Sequence, residues 1–441
     1  MQNIFLEYKI KIDEWLSLLI SRIVKAKNSN HSGLKLRHGS HIKWIELILT
    51  LLIISGLFFS ILCIESLKPK SPDIYIGMDI GYGDEHTAIK LINEVDDYVN
   101  LIVLGSLELT KDTEALDRVC EYLYQKDLYF IVFVSFAEHG YIPPRGPDPD
   151  FFVKAIQRWG DKFLGVYLFD EVGGRLIDND HSIDMKNATN YHEAASIYVH
   201  HLEWYLGNVT AFYQPAQYPL FISDFALYWY NYIGVGDIGY DCVFCQFLGN
   251  DIRQIAADLC RGAAKTLNKT WGVMITWSTL DDLDSWVENP NRIYDDMILA
   301  YQNGAQYIIV FNSPGFTIDE DGEIIPNPEP AEYGTLTTQH LEKMKTFWNQ
   351  VSVQIKHDPF SADTAYVLPA DYGFGFRGPE DRIWGKWGAD ELSEPIWNDI
   401  NVLIQEQNKN LDIVYETQIG FVPINHPYDT LIFWNGTRIT E

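Results

Sequence analysis

Acidic side chains stand at or just after the ends of several short apolar runs in this sequence. The five carboxyl groups in such positions are Asp79, Glu138, Asp170, Glu171 and Asp224. A carboxyl group can act as general acid, general base or nucleophile, and a pair of them can divide these roles. The spacing therefore provides candidates for acid/base chemistry, with Glu171 and Asp170 as the catalytic candidates.

Amide and aromatic side chains occupy the corresponding places after other apolar runs. They are Tyr82, Gln246, Trp277 and Asn312. Amides hydrogen-bond hydroxyl groups and flat rings pack on the apolar faces of sugars, so this combination is typical of a carbohydrate site. A structural role competes with this interpretation for Asp79, Asp224 and Asn312, because such residues at strand ends often cap the next helix.

Asp170 and Glu171 are neighbours in the chain. Side chains alternate between the two faces of a strand, so the pattern predicts that only one of the two points into the site. Which of them does so is left open by the sequence.

The apolar runs predict eight strands that alternate with helices. The strands are residues 74–79, 101–104, 129–136, 163–169, 220–223, 242–247, 273–277 and 307–311, and the main helices are residues 112–125, 150–159, 191–204, 251–267, 292–303 and 337–350. This order predicts an α/β fold, a (β/α)8 TIM barrel over residues 72–355, in which the strand ends meet at one site. An open doubly wound sheet is the competing fold, but no Gly-rich phosphate loop follows the first strand.

Three stretches resemble glycoside-hydrolase-like (β/α)8 barrels, in particular archaeal surface proteins with an N-terminal membrane anchor. They read GVYLFDEVGGRLID, WGVMITWSTLDD and YDDMILAYQNGAQYIIVFNSPG, and the resemblance covers about residues 72–350. It implies an acid/base Glu after the fourth strand, a position that Glu171 matches. It also implies a nucleophile Glu on the seventh strand, where this chain has Ile275-Thr276-Trp277.

Two functional hypotheses remain open. The first is a membrane-anchored extracellular glycoside hydrolase that acts on a glycan or polysaccharide, with Glu171 or Asp170 as general acid. The base or nucleophile would then be Asp79, Glu138 or Asp224. The second is a catalytically silent barrel that binds glycans or builds the cell envelope, which Gln246 and the missing Glu of the seventh strand favour.

An uncharged run at residues 47–64 predicts a single transmembrane helix over residues 44–64. Trp44 lies where an interfacial aromatic residue belongs, and five basic residues precede the span, namely Lys25, Lys27, Lys35, Arg37 and Lys43. The positive-inside rule then leaves residues 1–43 in the cytoplasm and the larger part outside. Apolar residues at helical spacing before the span predict an amphipathic helix on the membrane surface, or a partner-binding helix.

The charge distribution matches this topology. Residues 1–70 carry 10 Lys and Arg against 5 Asp and Glu, whereas the remainder carries 23 against 56. So acidic a region is repelled by phosphate backbones, which argues against nucleic acid as a partner. Asn-x-Thr triplets begin at Asn187, Asn208, Asn268 and Asn435, as expected for an exported glycoprotein.

The remaining features concern the C-terminal region and the cysteines. Strand and helix patterns predict a small or truncated α/β domain at residues 362–441.

Cys242 and Cys245 lie on opposite faces of one predicted strand, so we interpret them as buried thiols and not as a redox or zinc pair. We expect no cofactor and no metal, because the histidines lack metal-ligand spacing.

Overall fold

The computed structural model describes residues 72–137, 141–178, 183–213, 218–233, 239–249, 252–276, 289–312, 316–318, 324–326, 336–352, 360–416 and 427–440. The predicted membrane span (44–64) and the predicted cytoplasmic segment (1–43) lie outside these ranges. Within them, no helix is both long enough and apolar enough to cross a bilayer.

Eight parallel strands form a closed barrel. They are β1 (Tyr75–Ile80), β2 (Leu101–Leu104), β3 (Tyr129–Ala137), β4 (Phe163–Asp170), β5 (Leu220–Asp224), β6 (Cys242–Phe247), β7 (Thr270–Ile275) and β8 (Tyr307–Asn312). The sheet closes because β1 pairs with β2 on one side and with β8 on the other, where Met78 lies opposite Ile102 and Val310 respectively. The predicted barrel is confirmed, and β7 begins at Thr270 instead of at 273.

Helices surround the barrel and follow most of its strands. Those in the described ranges are α1 (Glu85–Val95), α2 (Leu107–Lys111), α3 (Thr113–Gln125), α4 (Phe151–Trp159), α5 (Val172–Ile177), α6 (Tyr191–Tyr213), α7 (Tyr228–Tyr232), α8 (Arg253–Thr266), α9 (Asn291–Gln302), α10 (Thr338–Val351) and α11 (Ser393–Gln407). Short strands at Tyr141–Arg145, Phe316–Ile318 and Ile324–Pro326 form hairpin pairings outside the barrel wall. The last of these lies within residues 319–332, a Pro-rich, acidic stretch that the sequence predicts as a surface loop.

Aromatic rings fill the lower part of the barrel. Tyr75 stacks on Tyr307 with ring centroids 4.8 Å apart, and Phe221 stacks on Phe244 at 5.4 Å. These rings come from the first halves of their strands and bury a large apolar area. The period of two then directs later residues of the same strands, among them Asp79, Ser223 and Gln246, to the space above the rings.

The two cysteines of β6 lie on opposite faces of the wall. Cys242 belongs to the core inside the barrel, and Cys245 belongs to the core between the strands and the helices. Both are buried and neither forms a disulfide. The interpretation as buried thiols is confirmed.

A second, four-stranded sheet follows the barrel. Its strands are β9 (Thr364–Leu368), β10 (Leu411–Tyr415), β11 (Thr430–Phe433) and β12 (Arg438–Thr440), in the order β10-β9-β11-β12. The first three are parallel and β12 runs antiparallel to β11. The sequence predicts strands at 364–368, 411–415 and 430–434 and a helix at 391–405, which match β9, β10, β11 and α11, but it does not predict β12. The domain boundaries stay a prediction.

Arg261 of α8 links the barrel to this sheet. Its guanidinium donates to Asp258 of the same helix at 3.0 Å, to Asp412 of β10 at 2.6 Å, and to the backbone carbonyl of Leu411 at 2.6 Å. The Arg261 side chain is 3% exposed and both carboxylates are fully buried. Buried ion pairs of this kind cost stability when one partner is removed.

Arg261→Leu is expected to lower the free energy of unfolding by about 3 to 5 kcal/mol, because it leaves two buried carboxylates without a cation. Urea unfolding of the full chain measures the loss. Arg158→Leu is the matched control, since Arg158 also binds a carboxylate, Asp117 at 2.8 Å, but is 45% exposed. The control is expected to lose less than about 1 kcal/mol, and equal losses in the two variants would contradict the prediction.

Candidate active site

A cavity of about 800 Å³ opens at the C-terminal ends of the barrel strands. The predicted site residues that line it are Asp79, Tyr82, Asp170, Glu171, Gln246 and Asn312. They come from or directly follow four of the strands, β1, β4, β6 and β8. The barrel therefore brings residues that are far apart in the sequence to one place, as its topology requires.

Asp170 and Glu171 both line the cavity, so the prediction that only one of them would do so is wrong. The reason is a local irregularity in β4. Phe169 has φ +69° and Glu171 has φ +61°, both in the left-handed region, and the register with β5 shifts before Asp170. Phe169 turns outward and stacks on Tyr205, which leaves the next two side chains facing the cavity.

Three donors converge on one oxygen of Asp170. Its Oδ1 accepts hydrogen bonds from the Tyr167 hydroxyl at 2.9 Å, the Ser223 hydroxyl at 3.0 Å and the Gln246 amide at 3.2 Å. Burial raises the pKa of Asp170, whereas these three donors and the charge of Arg175 lower it. Asp170 is open to the cavity although protein atoms surround it. Of Asp79, Asp170 and Glu171, Asp170 has the most hydrogen-bond donors, and such donors favour its charged form.

The surroundings of Glu171 favour its protonated form. Burial raises its pKa to about 8, and the negative charges of Asp170 and Asp224 contribute in the same direction. The Gln246 amide and the Arg175 guanidinium act in the opposite direction and do not offset the burial. Glu171 is therefore protonated at neutral pH.

Asp79 is a second buried acid. Asp79 is 2% exposed, and no hydrogen-bond partner of its Oδ1 is found among the residues that the structure describes. Burial raises its pKa well above the usual range, and the charge of Asp170 adds to this. The cavity thus brings Asp170, with its three hydrogen-bond donors, together with two carboxyl groups whose pKa is raised by burial, Glu171 and Asp79.

Within the described part of the chain, three further polar atoms of the cavity wall have no hydrogen-bond partner. They are Oε1 of Gln246, Oγ1 of Thr276 and Oδ1 of Asn312, on residues that are at most 8% exposed. Leaving a buried polar atom without a hydrogen bond costs about 1 to 3 kcal/mol. Unpaired oxygens around a cavity therefore indicate a ligand that carries donors, such as the hydroxyl groups of a sugar.

An aromatic surface borders the same cavity. Tyr82 is 55% exposed and meets Phe311 edge to face at 6.4 Å. Phe133 and Tyr167 form another part of the wall. Rings of this kind suit the apolar face of a pyranose.

The other predicted residues have different positions. Asp224 does not line the cavity; its carboxylate accepts backbone N–H groups of Gly173, Gly174, Phe225 and Ala226 and the Asn231 amide. Asp224 therefore has a capping role, although it caps the preceding helix α5 and not the next helix as the sequence suggested, and we withdraw it as a ligand-binding candidate. Glu138 and Trp277 lie outside the described residues.

Sequence reasoning missed Tyr167, Ser223 and Thr276. Tyr167 and Ser223 lie within apolar strands and show no distinguishing pattern, because their role is to donate to Asp170. Thr276 follows the last apolar residue of β7 and had the same strand-end signal as Gln246 and Asn312. In the sequence it draws attention only because it lies in the stretch where the resemblance implies a nucleophile Glu.

Comparison with known proteins gives a fold likeness only. No family model and no curated protein matches the chain. Similar solved structures include the β-galactosidase from Rahnella sp. R3 (11% identity, TM-score 0.49, 82% of this chain and 67% of that one) and the β-galactosidase from the haloarchaeon Halorubrum lacusprofundi (10%, 0.47, 82% and 69%). Another is GH5_18 from Streptomyces cattleya in complex with Manb1-4GlcNAc (10%, 0.45, 78% and 94%). Similarity this distant does not assign an activity to this chain.

Glu171→Gln is expected to stabilise the fold at alkaline pH. The folded pKa of about 8 exceeds the ordinary value of 4.5, so the folded chain binds this proton more tightly than the unfolded chain does. Glu171 therefore lowers stability progressively as the pH rises between these values. The neutral Gln removes the effect, and its gain in melting temperature should grow with pH and level off near pH 8.

Glu193→Gln provides the control with the opposite sign. Glu193 accepts the backbone N–H of Thr189 at 2.7 Å and its hydroxyl at 2.9 Å, which lower its pKa. Glu193 therefore stabilises the fold once it is ionised, and this variant should melt earlier at neutral pH. Equal gains in both variants would show that the Glu171 effect does not arise from its burial.

Proposed function

We propose that this chain is a carbohydrate-active hydrolase and that the cavity is its active site. The observation that carries the proposal is the arrangement of Asp79, Asp170 and Glu171 at one cavity. Three hydrogen-bond donors converge on Asp170, whereas burial raises the pKa of Glu171 to about 8 and raises that of Asp79. Hydrolysis of a glycosidic bond uses such a pair, one acid and one carboxylate.

The roles follow from the protonation states. Glu171 donates its proton to the leaving-group oxygen as the glycosidic bond breaks. Asp170 acts either as base toward the attacking water or as nucleophile toward the anomeric carbon. Asp79, as a buried acid, donates a hydrogen bond to a substrate oxygen.

The polar and aromatic wall supports a glycan as the ligand. Gln246, Thr276 and Asn312 present unpaired oxygens, and sugar hydroxyls are donors of the matching kind. Tyr82 offers an exposed ring at the edge of the cavity. A purely apolar ligand would leave the oxygens unpaired, so the wall favours a hydroxyl-rich one.

A silent glycan-binding barrel is the second candidate. The resemblance implies a nucleophilic Glu at the end of β7, but the chain reads Ile275-Thr276-Trp277 there and has no carboxyl group in these three residues. A barrel that binds glycans without cleaving them would keep the hydrogen-bonding wall and lose only that group.

A glycan-hydrolysis screen with the purified chain tests whether it is a hydrolase or a silent glycan-binding barrel. Glu171→Gln should lower turnover of unactivated glycosides by roughly 10² to 10⁴ and change binding far less. Glu193→Gln, outside the cavity, should keep wild-type turnover at a temperature where it is folded. If Glu171→Gln stays fully active while Asp170→Asn is inactive, the two roles are exchanged. If the wild type binds glycans and cleaves none, the silent barrel is correct.

The pH profile gives a second test of the acid. A general acid works only while it is protonated, so the kcat/KM of the wild type should fall as the pH rises through about 8, the pKa of Glu171. Glycosides with a good leaving group need less protonation, and for them Glu171→Gln should retain much of the wild-type rate. A profile that stays flat from pH 7 to about pH 10 would exclude Glu171 as the acid.

We also propose that the chain is a single-pass membrane protein with the barrel outside the cell. The support is the uncharged run, the basic flank before it and the acidic remainder. Asn187, Asn268 and Asn435 are exposed, as acceptors of glycans must be. Protease added to intact cells should digest the region after residue 71 and spare the first forty residues. The reverse protection pattern would refute this topology.

A further inference from the structure

Asp224 contacts the backbone of the turn that directly follows Glu171. Its Oδ2 accepts the N–H of Gly173 at 2.7 Å and its Oδ1 accepts the N–H of Gly174 at 2.8 Å. Both glycines belong to the first turn of α5, which begins directly after Glu171. A Cβ atom on Gly173 would lie 2.8 Å from Asp224 Oδ2, so the close approach of backbone and carboxylate requires glycine there.

The backbone of Glu171 is tied to the same strand end. Its N–H donates to the carbonyl of Ser223 at 2.9 Å, the residue before Asp224. Glu171 adopts a left-handed conformation, which is costly for a non-glycine residue and persists only where surrounding contacts hold it. The contacts with Ser223 and Asp224 provide that support on both sides of the Glu171 Cα.

Asp224 is positioned to act on Glu171 through charge as well as through the backbone. It is completely buried and accepts five hydrogen bonds, one of them from Asn231 Nδ2 at 2.9 Å. Asn231 in turn accepts the Tyr198 hydroxyl at 2.7 Å, which fixes the amide. Burial raises the pKa of Asp224 to about 6 against these donors, so Asp224 is negatively charged at neutral pH.

We propose that Asp224 is a positioning residue for Glu171: it holds the turn that directs the Glu171 carboxyl into the cavity, and its buried charge keeps that carboxyl in the acid form. The inference rests on the proposed role of Glu171 as general acid. Asp224 itself does not touch the cavity.

The other charged groups near this pair act as follows. Asp170 also favours the protonated form of Glu171, whereas Arg175 and Gln246 favour the ionised form. Tyr82, Tyr198 and Tyr240 remain neutral beside the carboxylates, because burial raises the pKa of each. After removal of the Asp224 charge, Asp170 is the anion with the largest remaining effect on the pKa of Glu171.

The test is a stability cycle in the full chain. Glu171→Gln is introduced into the wild type and into Asp224→Asn, and the gain in melting temperature from Glu171→Gln is followed with pH. In the wild type the gain levels off near pH 8, the pKa of Glu171. In Asp224→Asn it should level off about one pH unit lower, because one nearby charge is gone. The inference is overturned if the two curves level off at the same pH.

Further variants test whether the shift arises from the loss of the Asp224 charge or from a change in the fold. Asp224→Ser is a second neutral variant with the same expected shift, used if Asp224→Asn does not fold. Asp224→Glu keeps the charge and should level off at the wild-type pH. Asp241→Asn is the matched control: Asp241 accepts the backbone N–H of Leu220 at 2.9 Å at the opposite end of β5, and it should cause no shift. A shift of the same size in Asp241→Asn would overturn the inference.

The melting curves need no substrate, so failure of this inference can be told from failure of the proposed function. If the shift appears but the wild type cleaves no glycan, Asp224 positions Glu171 and the hydrolase proposal fails. If the wild type is a hydrolase and Asp224→Asn leaves the alkaline limb of its kcat/KM profile in place, the inference fails and the hydrolase proposal stands.

Discussion

Desolvation of several carboxyl groups at one end of the barrel is the constraint on which the site depends. Aromatic rings fill the barrel below the site, and the surrounding strands enclose the polar ends above. Such surroundings disfavour charge, so the number of anions is limited by the donors that the fold supplies. Asp170 has three donors and Asp224 has five, which favour the charged form of both. Burial raises the pKa of Glu171 to about 8, which makes an acid available at neutral pH, and it also raises the pKa of Asp79.

The barrel was predictable because its strands are short apolar runs buried on both faces, as in other parallel sheets. All eight strands, and the strand ends at Asp79, Gln246 and Asn312, follow from this pattern with shifts of a few residues. The sequence could not predict that Phe169 and Glu171 adopt positive φ angles, since nothing in their residue types favours that conformation. The alternation rule failed at that point, and both acidic neighbours reached the cavity.

Asp224 illustrates a second limit of the sequence. A carboxyl group at a strand end has the same signature whether it binds a ligand or caps the next helix, and only the positions of nearby N–H groups separate the two roles. Here the first-turn N–H groups of Gly173 and Gly174 take both oxygens. Tyr167 and Ser223 are the converse case, since they belong to apolar runs and yet supply the donors that make Asp170 an anion.

The C-terminal region contacts the opposite end of α5, the helix that Asp224 caps. Arg377 lies in the segment between β9 and α11. Its guanidinium donates at 2.5 Å to Asp178, the residue directly after α5. Its guanidinium also lies over the ring of Phe225, 5.6 Å from the centroid. Helix α5 is therefore held at its beginning by Asp224 and at its end by Arg377. Because Glu171 directly precedes this short helix, contacts from the C-terminal unit bear on the orientation of the acid although Arg377 lies outside the cavity wall.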